Sequence, residues 1–240
     1  MKSILSHKLF IYIIPFFLGL LTSFSLPPYD FLIINFITFP FLLFFLIYNF
    51  EKSKWISFKI GWLFGFGYFI SNLYWITHSL TFEEIFKPLI PFALILIPLF
   101  LGIFYGFGAL ICSFFNLEKN FSTVLIFAII FSVVEYIRGF ILGGFPWNMI
   151  AYSWVKYLNS IQVLSLIGTY SFNLISITIF SLPFLLFFKK EIKLKIFLLL
   201  FLLFILICNG FYGHLKIKKD EKLYTELKDF KIKIISPKIS

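Results

Sequence analysis

Between Glu135 and Asn148 the chain reads Glu-Tyr-Ile-Arg-Gly-Phe-Ile-Leu-Gly-Gly-Phe-Pro-Trp-Asn. Glu135 is the one acid that falls inside an apolar run, and Arg138 follows three residues later, on the same face of a helix. A charged group at bilayer depth costs at least about 2.5 kcal/mol on insertion scales, and such groups usually face a bundle interior in pairs. Two readings of the pair are open. Either it is buried, with Arg138 available to hold a lipid phosphate, or Arg138 snorkels to the interface and Glu135 completes a helix-end pair. After the pair, Gly143 and Gly144 permit backbone angles closed to other residues, and Pro146 fixes the next turn. The stretch from Trp147, with Tyr152, Trp154 and Tyr157, reads as an aromatic belt at the outer interface. Its plain role is an anchoring loop; its sharper role is a fixed platform beside a lipid headgroup.

Those residues must be positioned by membrane helices. The chain is 60% hydrophobic and only 13% charged, with a mean hydropathy of +0.98, where an ordinary soluble domain is about a quarter charged. The fold expected is an all-α polytopic membrane protein. Seven apolar runs read as spans, over 9–26, 31–50, 55–76, 88–115, 121–137, 160–188 and 194–212, each near the roughly 20 residues that cross a hydrocarbon core. The runs are apolar on every side, unlike the alternating segments of a transmembrane barrel. Pro91 and Pro98 interrupt the fourth run, which predicts a kink there or an interfacial stretch ahead of it.

Charge sets the expected orientation. With the N-terminus inside, the inner loops hold Lys2, Lys8, Lys52, Lys54, Lys59, Lys119, Lys189, Lys190, Lys193 and Lys195, and the outer loops only Lys87, Arg138 and Lys156. The positive-inside rule therefore predicts a cytoplasmic N-terminus and, after an odd number of spans, an outer tail. The net charge of +10 reports topology, and no basic stripe interleaved with polar readers points to nucleic acid. The N-terminus has some features of a secretory signal, from Lys2 and Lys8 to Ser23 and Ser25, but its apolar run is long enough to remain as a span. Cys112 and Cys208 both fall in predicted spans, where a thiol is inert and a disulfide framework is not expected. No cofactor or metal is expected.

Two spans share one glycine pattern: Gly61, Gly65 and Gly67 in the third, Gly102, Gly106 and Gly108 in the fourth. Small residues four apart let membrane helices approach closely, and helix packing is the reading adopted. A phosphate cradle would need a strand-turn-helix context that a span does not provide.

Glu135 to Gly139, then Gly144-Phe145-Pro146-Trp147-Asn148 and Tyr152-Ser153, resemble the signature of bacterial apolipoprotein N-acyltransferases. Leu26-Pro27-Pro28, Gly61-Trp62 through Gly67 to Tyr74-Trp75, and Gln162 through Gly168 to Tyr170 agree with it in order, so the resemblance covers almost the whole chain. It implies a multi-pass enzyme of the bacterial inner membrane, N-terminus cytoplasmic and tail periplasmic, which moves an acyl chain from a phospholipid to the N-terminal cysteine of a diacylated lipoprotein. It implies a lipid platform at Glu135, Arg138, Gly144, Phe145, Pro146, Trp147, Asn148, Tyr74 and Trp75.

In that family the chemistry belongs to a nitrilase-like domain with a Glu-Lys-Cys triad, set between the seventh span and an eighth. Here residues 1–212 resemble the membrane domain, and 213–240 form a short tail. Its end, Phe230 to Ser240, alternates like a strand and is similar to the first strand of the nitrilase-like domain, with Ser236-Pro237-Lys238 where the family more often has Gln-Pro-Asn or Gln-Gly-Asn. No residue matches the triad, so no catalytic residue is assigned and the chain alone is expected to transfer no acyl group. Three explanations stay open: a fragment, a split enzyme with a separate nitrilase-like chain, or a decayed copy. A reading from another class also stands, a lipid-handling or transport protein in which Glu135 and Arg138 form an intramembrane site without acyl transfer. A purely structural membrane subunit is a third.

Overall fold

A computed structural model of the protein describes residues 8–49, 53–115, 117–187 and 192–225. Every regular element among them is helical. The longer ones are α1 (Lys8–Ser23), α2 (Asn35–Asn49), α3 (Lys54–Asn72), α4 (Ile90–Cys112), α5 (Phe121–Arg138), α6 (Leu164–Ser181) and α7 (Ile192–Thr225). Helix is the local answer that satisfies all backbone polar groups where water is absent. Two starts are fixed by side chains: Ser53 Oγ accepts the Trp55 N–H, and Asn120 Oδ1 accepts the Thr123 N–H at 3.0 Å.

Five helical stretches are long and apolar enough to cross a membrane: Leu32–Asn49, Glu84–Cys112, Phe121–Arg138, Leu164–Phe187 and Ile196–Glu221. The chain is a multi-pass membrane protein by this length and composition. Phe10–Ser23 is apolar but shorter, and α3, with lysines at 54 and 59 and three glycines, is not among the five. The seven runs read from the sequence thus correspond, among the described residues, to five helices long and apolar enough to cross a membrane and two further helices.

Several boundaries move. The third run leaves the α-helix at Asn72 and continues as a 3-10 stretch, Tyr74–Thr81. The fourth has a 3-10 approach, Glu84–Leu89, in front of α4, and Pro91 sits in the first turn, where its missing N–H removes no helical bond. The sixth run starts with a single helical turn, Leu158–Ile161, and α6 is broken at Gly168, whose φ of +76° is open to glycine at little cost. The seventh does not stop at Tyr212: α7 continues to Thr225, so the first part of the expected tail is helical. The strand-like ending at 230–240 lies outside the described residues.

The core is aromatic, with Phe39, Phe64, Phe127, Phe131 and Phe180 all buried. Helix α3 is wedged between α1 and α4. A Cβ on Gly67 would press on the Phe16 backbone of α1, and one on Gly65 would lie 2.9 Å from Gly102 Cα of α4. Gly61 is set against the Tyr105 backbone, and Gly106 against the Phe58 ring. Gly108 differs, since its nearest neighbour, Val134, is at an ordinary 3.5 Å. Helix α7 packs least: only 6% of its apolar window is buried.

Candidate functional site

Glu135 and Arg138 close α5 on its inward face, and their side chains are 1% and 0% exposed. The interface reading of the pair therefore gives way to the buried one. Arg138 Nη2 lies 3.6 Å from Glu135 Oε1, an ion pair longer than a hydrogen bond. Two neutral side chains hold the carboxylate more directly. Tyr105 of α4 donates its hydroxyl to Oε1, and Asn173 Nδ2 of α6 donates to Oε2 at 3.3 Å.

The arginine is turned toward backbone. Its Nη1 donates to the carbonyls of Phe145 at 2.5 Å and Trp147 at 2.9 Å, and its guanidinium lies 5.2 Å over the Phe69 ring. These carbonyls belong to a segment that is not regular helix, and in apolar surroundings each needs a partner. Tyr68 of α3 serves the next one, donating to Asn148 O at 2.9 Å. Beyond it, the Ala151 N–H donates to Asn173 Oδ1 at 2.9 Å. The turn from 139 to 151 is thus held by side chains of three helices.

Its backbone needs that support. Leu142 has φ 55° and Asn148 φ 56°, both left-handed, and Gly143 and Gly144 have φ 88° and 78°. A Cβ on Gly144 would strike the Gly139 carbonyl, so glycine is required there twice over. Phe145 is half-buried, while Pro146 and Trp147 are exposed. The Trp147 ring meets Trp75 edge to face, with centroids 5.9 Å apart. Tyr74 is exposed on the same 3-10 stretch.

The aromatic belt expected after Trp147 divides. Tyr157 is exposed, but Trp154 points inward, 6% exposed and stacked on Phe180 at 5.5 Å. The segment Ile150–Trp154 is re-entrant, with Ile150, Ala151, Ser153 and Trp154 buried. Tyr152 is only partly buried; loss of water, then Tyr170 and Glu135, push its phenol above the usual range, so it is a neutral hydroxyl.

Beside Arg138 lies a cavity of about 360 Å³. One wall is the α4 face with Leu96, Phe100 and Phe104, and the other is the turn, with Leu142, Gly144 and Phe145. A second, of about 500 Å³, lies between α4 and the Tyr74–Leu89 region and shares Leu96 and Ile97 with the first. Arg138 Nε and Nη2 are buried without a hydrogen-bond partner in the protein, Nη2 being the atom that faces Glu135. No group of three or more potential metal ligands gathers among the described residues. Cys112 is fully buried, and Cys208 is exposed on the loosely packed α7.

Residues 18–182 match the model of the apolipoprotein N-acyltransferase N-terminal domain. The chain belongs to the apolipoprotein N-acyltransferase family. Its similarity to the apolipoprotein N-acyltransferase of Rickettsia prowazekii is 34% identity over 230 residues, 95% of this chain and 44% of that protein. To that of Brucella melitensis biotype 1 it is 32% over 197 residues, 77% of this chain and 37% of the relative, and to that of Rhizobium etli 33% over 174 residues. The chain thus spans less than half the length of the curated relatives it matches. The match to the apolipoprotein N-acyltransferase membrane domain takes in α2 to α6 and the whole turn. Tyr68, Tyr105 and Asn173 escaped the sequence reading; the signal was there only as isolated polar groups in apolar runs.

Proposed function

We propose that this chain is the membrane part of an apolipoprotein N-acyltransferase and that the turn at Arg138 seats the phospholipid acyl donor. The observation that carries this reading is the α4 cavity: apolar walls for an acyl chain, with the Arg138 cation in its lining. An ester or phosphate oxygen would lie toward the Arg138 end of the cavity, with the chain lying along Leu96, Phe100 and Phe104. Glu135 keeps the arginine oriented. Gly144, Phe145, Pro146, Trp147 and Asn148, with Tyr74 and Trp75, form the platform beside the headgroup, and the acceptor is the N-terminal cysteine of a diacylated lipoprotein.

In this reading all seven helices cross the bacterial inner membrane, with α3 packed between α1 and α4. The lysine distribution supports a cytoplasmic N-terminus and a periplasmic C-terminal tail. Acyl transfer itself requires an activated thiolate outside the lipid, and neither Cys112 nor Cys208 is set beside a base. In this reading a nitrilase-like part, as further chain or a separate subunit, would supply the catalytic residues. The glycines of α3 and α4 serve packing.

A phospholipid with a photoreactive group in its acyl chain is expected to crosslink to the 96–104 face of α4 in preference to α2 and α7. Labelling spread evenly over all lipid-facing helices overturns the donor seat. The chain purified alone is expected to form no acyl-enzyme from phospholipid; a thioester trapped on Cys112 or Cys208 would overturn that part.

A further inference from the structure

The distance from Arg138 to Glu135, 3.6 Å, leaves the arginine unable to fix the carboxylate by a hydrogen bond. Asn173 can. It stands on α6 a short way past the break at Gly168, is fully buried, and uses both ends of its carboxamide. Nδ2 donates to Glu135 Oε2, and Oδ1 accepts the Ala151 N–H. The two ends of an amide are fixed in one plane, so a single rotamer ties the ion pair to the re-entrant segment. Trp147 leaves the turn between these two anchor points, its own carbonyl held by Arg138.

We infer that Asn173 is a positioning residue, which locks the Glu135–Arg138 pair to the re-entrant segment and so sets the orientation in which Trp147 is presented. The inference rests on the platform reading above, but it concerns the geometry of the turn and is measured without acyl transfer. The other neutral donor, Tyr105, approaches the carboxylate from α4 and spends its hydroxyl there. Among the neutral side chains hydrogen-bonded to Glu135, Asn173 is the one that also bonds the turn, beside the Ile150 backbone, which reaches the carboxylate from the segment itself.

The test uses the chain in liposomes, with Cys208→Ser to remove the exposed thiol and Trp147→Cys as a reporter, read by its rate of reaction with a water-soluble maleimide. Asn173→Asp keeps an oxygen for the Ala151 N–H but sets a second carboxylate against Glu135. It is expected to change the labelling rate roughly fivefold or more, the equivalent of about 1 kcal/mol. Adding Glu135→Gln restores one carboxylate and one amide with their places exchanged, and is expected to return the rate to within about twofold of the parent. A residue that merely filled space would not be rescued by this exchange. An unchanged rate in Asn173→Asp overturns the inference, as does a folded double variant that fails to recover. Where Asn173→Asp does not fold, Asn173→Ala carries the test, with the same change expected and a parental rate overturning it. Failure here leaves the α4 crosslinking result untouched, and failure of the crosslinking leaves the labelling result standing.

Discussion

Where α3 crosses α4, both backbones are helical, with Trp62 Nε1 donating to Leu99 O across the seam at 3.0 Å, and what remains to be solved is distance. Gly61, Gly65 and Gly102 solve it by having no side chain, so backbone meets backbone and the gain is van der Waals contact. The turn from Gly139 to Trp154 has the reverse problem. Outside two short 3-10 stretches its carbonyls and amides have no helix to satisfy them, and Arg138, Tyr68 and Asn173 reach in from three helices. Apolar surroundings make a seam cheap when the backbone is regular and make an irregular segment dependent on buried polar side chains. A fold can afford the second arrangement where a non-helical surface has to be presented to a ligand.

The difference is sharpest at Arg138. Arg138→Ala leaves two carbonyls and the Glu135 charge unpaired, and is expected to cost about 3–5 kcal/mol, read as thermal unfolding in detergent. In an enzyme completed by its nitrilase-like part, lipoprotein N-acylation is expected to fall far more than in Lys156→Ala. Equal, unimpaired turnover in both variants would break the distinction between turn and surface.

The seam is tested by volume. Gly65→Val is expected to destabilise by about 1–3 kcal/mol through overpacking, while Gly108→Ala, whose Cβ meets nothing closer than 3.5 Å, is expected to stay within about 0.5 kcal/mol. Equal melting temperatures for the two would mean the spacing, and not the backbone approach, is what the glycines provide.

The smallest effect is expected at Tyr68→Phe, which deletes one hydroxyl from the turn and fills the same space. The loss should be about 1 kcal/mol, the range of single hydrogen bonds between membrane helices, and it should appear as faster labelling of the Trp147→Cys reporter with little change in melting temperature. A drop as large as that of Arg138→Ala would show that the turn unfolds as one unit.

Much of this could be read from the chain. Glu135 and Arg138 are three residues apart, so helical geometry alone pairs them, and the apolar runs mark helices because few other elements satisfy their backbone in lipid. Gly144 and Pro146 announce a turn. Tyr105 and Asn173 could not be placed in the same way, lying 30 and 38 residues from Glu135, and Tyr68 lies 80 from Asn148. Each is a lone polar group in a span, and such a group has the same local signature whether it faces a partner or a neighbouring carbonyl. Trp154 misled for a related reason: an aromatic residue after a span suits an interface, and only the dip of Ile150–Trp154 turns it toward Phe180.

By itself, then, the sequence determined the membrane class, the helices and the charged pair inside an apolar run, since these depend on composition and on spacings within a single helical turn. The tertiary structure decided that the pair is buried, that Arg138 spends its donors on the carbonyls of Phe145 and Trp147, and that α3, α4 and α6 supply the remaining partners. Hydrogen bonds across a bundle are set by which helices touch, and no local period in the chain carries that information.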